Sequence, residues 1–239
     1  MTLPRSRTIR AVPVLLALLV SSRAPAAEGE CAETMDLATP VTLGRVVGAQ
    51  RVPFLKSAEQ AKGCPSRDAA CRDAAYLVEG NTVVVAGTLR DFACVTYVGA
   101  KGATRTGWIA SDALADVPAE PPTLEAWVGT WSAGPEQDIT ILRKGDTLQV
   151  SGEATYGARD PARVARGAVN SGSFSATVRP NGASLGFTDD ADATKPYAAG
   201  DDTTCRVRMQ VLPPLLVAES NAACGGMNVT FTGFYRRKG

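Results

Sequence analysis

The chain contains no histidine, and that single absence removes several chemistries together. Ser-His-Asp and Cys-His catalysis, imidazole general bases and histidine-ligated zinc all need a ring nitrogen that this polymer does not carry. No two cysteines stand in a CxxC spacing, so thioredoxin-type redox chemistry and four-thiolate zinc sites lack their ligand pattern. A serine nucleophile has no Ser-x-x-Lys partner either. Long hydrophobic runs are also missing. The longest, Ala11 to Val20, contains Pro13 and falls short of the roughly 20 residues of a membrane-spanning helix. Excess charge of either sign is absent, with a formal net charge of +1.

The N-terminal residues are ordered. Arg5, Arg7 and Arg10 precede the apolar run, and Ala24-Pro25-Ala26 follows it, the charged, apolar and cleavable order of a secretory signal peptide over residues 1–26. Cys31 lies five residues past Ala26, too far for a lipidated first residue, so the mature chain is expected without a transmembrane anchor and in the periplasm or outside the cell. Cleavage removes Arg5, Arg7, Arg10 and Arg23 and no acid, taking +1 to −3 and leaving no basic footprint for nucleic acid. All six cysteines lie beyond the leader, and an even count in an exported chain reads as disulfides. Nothing in the composition calls for a cofactor or metal.

Val117-Pro118-Ala119-Glu120-Pro121-Pro122-Thr123 packs three prolines into seven residues and reads as a stiff linker between domains at 31–117 and 123–239. The first half alternates short β-branched runs (45–47, 51–55, 75–78, 82–88, 93–97 and 106–109) with turns at Glu79-Gly80-Asn81 and 99–102. The irregular 57–73 interrupts them, with a helical turn expected at Ala58–Ala61. The second half offers eight candidate strands between Trp127 and Tyr235. The expected fold is therefore all-β, a small N-terminal barrel followed by an antiparallel up-and-down barrel of about eight strands. If Pro213-Pro214 forms a hairpin turn, opposed positions sum to 427 and Cys205 faces Ala222, which brings Cys224 within bridging reach. Among Cys31, Cys64, Cys71 and Cys94 three pairings are open; a Cys64–Cys71 clasp of the irregular loop is favoured, which leaves Cys31 to Cys94.

Three segments carry a family likeness. Residues 76–85, then Phe92-Ala93-Cys94-Val95-Thr96-Tyr97, then Gly107-Trp108-Ile109-Ala110-Ser111-Asp112-Ala113-Leu114 resemble bacterial SH3-like (SH3b-type) domains over about residues 44–115, with Asn81 where that family usually has Asp. The resemblance implies a small barrel that engages peptidoglycan or an envelope protein. The aromatics Tyr76, Phe92, Tyr97 and Trp108 are the candidate ligand contacts, with Phe54 beside them. In the second half, Gly129-Thr130-Trp131 and Arg236 look like the Gly-x-Trp and terminal Arg that brace one end of lipocalin- and avidin-type barrels, a likeness of fold only.

Two further segments bear charge. Asp189, Asp190, Asp192, Asp201 and Asp202 crowd one stretch but lack the spacing of a calcium loop, and read as solvated hairpin residues. Arg163 and Arg166 share one face of a short helical turn, read as a solvated loop. The leading expectation is a non-catalytic envelope binding protein with no catalytic residue. The alternatives are a protein inhibitor of a cell-wall hydrolase such as lysozyme, inserting the Cys64–Cys71 loop or the Cys205–Cys224 corner, and an enzyme that works with carboxylates alone.

Overall fold

The structure, a computed structural model, describes Cys31 and residues 36–100, 102–118, 120–190 and 193–239. The expected signal peptide lies outside these residues, as do Lys101, Ala119 and Asp192. The fold is all-β, built as two antiparallel sheets.

The first sheet holds β1 (Thr42–Val46), β2 (Val52–Leu55), β3 (Arg72–Leu77), β4 (Thr82–Leu89), β5 (Phe92–Val98), β6 (Thr104–Ala110) and β7 (Leu114–Asp116), in the order β3-β2-β6-β5-β4-β1-β7. The period-two pattern sorts its side chains. Ala93 and Val95 of β5 pack with Val46, Val52, Phe54, Leu77 and Ile109 on the inner face. Phe92 and Cys94 point the other way, onto Leu55 and Trp108. The Glu79-Gly80-Asn81 turn works as expected: Gly80 takes φ 84°, and Asn81 Oδ1 accepts the Val78 N–H at 3.0 Å. The expected helix at Ala58–Ala61 is one turn, closed by Ala61 N–H to Ser57 O at 3.0 Å.

The second sheet holds β8 (Gly129–Gly134), β9 (Gln137–Lys144), β10 (Thr147–Tyr156), β11 (Asn170–Val178), β12 (Ser184–Asp190), β13 (Ala193–Pro196), β14 (Cys205–Leu212), β15 (Leu215–Ser220) and β16 (Gly233–Arg237). Its order, β11-β10-β9-β8-β16-β15-β14-β12-β13, is an up-and-down barrel with the short β13 added at the seam. A five-residue helix, α1 (Pro161–Ala165), links β10 to β11 and is capped by Asp160, whose carboxylate accepts the Ala162 N–H at 2.9 Å. Strict alternation in β10 turns Leu148, Val150 and Ala154 inward. They meet Trp127, Trp131, Phe174, Phe187, Phe231 and Tyr235, so side chains fill the barrel interior. At the seam the ladder passes from backbone to side chains: Asp189 Oδ2 accepts the Ser175 N–H at 2.9 Å and Thr194 Oγ1 the Thr177 N–H at 3.1 Å.

The sequence placed Arg236 as the brace over Trp131; the structure puts Arg237 there. The Arg237 guanidinium sits 4.7 Å from the Trp131 ring centroid and donates to Ala126 O at 2.8 Å. Successive strand residues face opposite sides. Tyr235 is buried inside the barrel, which sends Arg237 the same way and Arg236 outward. The last strand starts only at Gly233; ahead of it Ser220 Oγ, not a ladder carbonyl, accepts the Phe231 N–H at 3.0 Å.

Three disulfides join Cys31 to Cys94, Cys64 to Cys71 and Cys205 to Cys224. The β14–β15 hairpin pairs Leu212 with Leu215 and Val207 with Ser220, the register that Pro213-Pro214 implies. No helix among the described residues is long and apolar enough to cross a membrane.

The two sheets share a core. Val41, Val84 and Val98 of the first half pack on Leu212, Leu215, Val217 and Phe234 of the second. Gln210, 6% exposed, accepts the Val41 N–H at 2.9 Å and donates to Val41 O at 2.8 Å. Arg236, turned outward from the barrel, donates to Gly99 O at 3.1 Å and Val98 O at 2.5 Å.

Candidate functional sites

The four aromatics singled out by sequence do not form one surface. Phe92 and Trp108 are buried against Leu55 and the Cys31–Cys94 bridge. Tyr97 packs on the inner core from the opposite face of β5. Only Tyr76, on the edge strand β3, is exposed, at 45%; the Arg51 guanidinium lies 4.5 Å from its ring centroid. The division follows from alternation: residues 92 and 97 of one strand differ by an odd number and face opposite sides.

Trp108 nevertheless borders a polar notch. β2 and β6 are registered at a single pair, Leu55 with Trp108, so the sheet parts beside them. The opening, about 210 Å³, is lined by Phe54, Gln60, Asp73, Arg105 and Trp108 among others. Arg105 spans it, ion-paired with Asp73 and 5.8 Å above the Phe54 ring. The Ala75 N–H, with Arg105 beside it, holds the Asp73 carboxyl below the ordinary carboxylate range. Hydrogen-bond donors and acceptors thus meet in one concavity over buried aromatic side chains, a polar mixture that ligands such as glycans and peptides use.

The charged segments are taken up by the fold. Asp189 seals the barrel seam, Asp190 pairs with Lys195, and Asp202 pairs with Arg206 at 2.7 Å. Asp201 accepts from the Thr203 hydroxyl and the Thr203 and Thr204 N–H groups, which hold its carboxyl low. Among the described residues no group of three acids or cysteines is placed to hold a metal. Arg163 lies 4.6 Å from the Tyr156 ring centroid and bonds Ala168 O; Arg166 bonds Ala162 O. Glu136, Asp138 and Glu153 share an open furrow. There Glu136 accepts the Ala158 N–H at 2.7 Å, and Asp138 pairs with Lys238 at 2.7 Å.

Two features were not legible in the sequence. The first is the loop after Cys224. Gly226 N–H reaches Ser171 O at 3.0 Å and Asn170 Nδ2 donates to Met227 O at 2.6 Å, so a fixed loop presents Met227 with 79% of its surface exposed. The second is a groove of about 690 Å³ between the sheets, lined by β1, β7, the Pro-rich stretch, Ala183 just before β12 and the end of β14. Its walls include Val41, Leu43, Val211 and Leu212, and its charged lining residues are Asp116 and Glu120. The proline stretch does not hang between the halves; it forms one wall of this groove.

No known protein family matches the chain, and no curated protein or solved structure resembles it.

Proposed function

We propose that this is a non-catalytic binding protein of a bacterial envelope, exported to the periplasm or beyond, whose SH3-like first barrel engages peptidoglycan. The observation that carries the reading is the notch at the β2–β6 parting, where Arg105, Asp73 and Gln60 line an opening above the buried rings of Phe54 and Trp108. Peptidoglycan offers amides, carboxylates and hydroxyls, which pair with this mixture of donors and acceptors. The test is co-sedimentation of the whole mature chain with purified sacculi. Retention that falls on Arg105→Ala and Gln60→Ala is expected, and no retention of the wild-type chain overturns the reading. The 31–117 fragment is a poor probe, because its Val41, Val84 and Val98 are covered by the second sheet.

A second reading, inhibition of a cell-wall hydrolase such as lysozyme, draws on the Met227 loop. Its Cys205–Cys224 tether and its bonds to Asn170 and Ser171 limit the ordering entropy lost on insertion into a cleft. Muramidase inhibition that disappears in Met227→Glu is the expected result; full enzyme activity at large molar excess of the wild-type chain sinks it.

A further inference from the structure

The groove between the sheets has no part in either reading. We propose that it binds an extended segment of a partner protein, apolar and basic in alternation, laid as an added strand along β7. The inference shares with the peptidoglycan reading only the premise of a binding protein, and it concerns a different site.

Four observations converge. At about 690 Å³ the groove has the capacity of ordinary ligand sites, roughly 300–1,000 Å³. Leu43 and the prolines Pro40, Pro118, Pro122 and Pro213 supply exposed or half-buried apolar walls. Asp116 and Glu120 are exposed, and neither belongs to an ion pair among the described residues. No Lys or Arg lines the groove, so its charge complements a cation. Finally, among the described residues β7 pairs only with β1. The bond from Val117 N–H to Leu43 O at 3.2 Å fixes the phase of that ladder, and alternation then sends the N–H and C=O of Asp116 to the open edge. An unpaired edge beside an apolar groove is the geometry of strand addition, with main-chain bonds for affinity and side-chain pockets for choice. A small amine amphiphile would match the walls and carboxylates but leave that edge unused.

The test presents the immobilised mature chain with two hexapeptide libraries. One alternates Lys or Arg with Val, Ile, Leu or Phe, and the other replaces the cations with Asp or Glu. Preferential retention of the basic library by roughly tenfold is expected, the scale of two partly screened charge pairs. The double variant Asp116→Lys/Glu120→Lys should reverse the preference. Asp116→Pro, which removes the edge N–H, should weaken retention of the basic library. Circular dichroism melts verify that each variant is folded. Equal retention of the two libraries, or a preference unchanged in the double variant, overturns the proposal. So does capture of octylamine without any peptide, or a dimer in sedimentation that the double variant dissolves, which would make a second copy the occupant. Sacculus retention measured on the same variants separates this failure from failure of the peptidoglycan reading.

Discussion

Two buried polar side chains concentrate stability at single positions. Gln210 satisfies both backbone groups of Val41 inside the core shared by the sheets, a place where water does not substitute. Gln210→Leu keeps the volume but orphans an N–H and a C=O, each costing about 1–3 kcal/mol when buried unpaired. The urea midpoint should fall accordingly. Tyr235 gives a pH signature. Burial, with Asp138 adding to it, pushes its phenol well above the ordinary value of 10.0; in the fold its hydroxyl donates to Phe231 O at 2.8 Å. A raised folded value means the unfolded chain loses this proton first, so the contribution is whole below pH 10 and declines as pH climbs above it. Stability measured from pH 8 to 11 should therefore drop at the alkaline end. In Tyr235→Phe that alkaline slope should be shallower, on top of a loss of about 1 kcal/mol for the hydrogen bond. An unchanged slope would show that Tyr235 ionises freely in the fold.

At the scale of strands, the barrel seam and the corner beneath the Met227 loop are the points of constraint. A Cβ on Gly172 would stand 2.3 Å from Cys224 O and 2.7 Å from the Gly225 Cα, both backbone atoms that do not rotate away. Gly172→Ala should destabilise by about 1–3 kcal/mol, the usual cost of overpacking, and shift the disulfide corner with it. Asp189→Ala frees the Ser175 N–H and should speed hydrogen exchange of that amide while leaving the β9–β10 ladder protected. Much at this scale was legible in the chain: the alternation of β10 names its inward residues, and Pro213-Pro214 implies the β14–β15 register. The seam was not. Ala193–Pro196 is exposed throughout, with no apolar alternation to announce a strand, and Thr194 earns its role by meeting β11, a partner remote in sequence. Arg236 was named in place of Arg237 for a related reason. The two neighbours are chemically identical, and only the facing of Tyr235 decides which of them lies over Trp131.

Sequence reading divided the molecule at the Pro-rich stretch into halves with their own cysteines, and each half does own a sheet and its bridges. What it did not disclose is how the halves meet. Val41, Val84 and Val98 look like ordinary strand residues, and their partners Leu215 and Phe234 lie more than a hundred positions away, so no local pattern links them. The groove shares that invisibility, since its walls come from the same junction. A shared core has a thermodynamic consequence: unfolding either sheet exposes apolar surface on the other, which couples the two transitions. Trp108 reports the first sheet, while Trp127 and Trp131 report the second. Two tryptophan-reduced variants, Trp108→Phe and Trp127→Phe/Trp131→Phe, isolate these signals, and the decisive comparison is made within each background. Phe234→Ala removes a second-sheet side chain 5% exposed, at a cost of about 3–5 kcal/mol for a buried Phe. If the sheets unfold as one unit, the Trp108 signal, read in the background that keeps only Trp108, moves to lower urea by as much as the Trp127 and Trp131 signal does in the other. If the Trp108 midpoint stays in place while the second falls, the junction is a contact between independent domains, and the first barrel can then be studied alone.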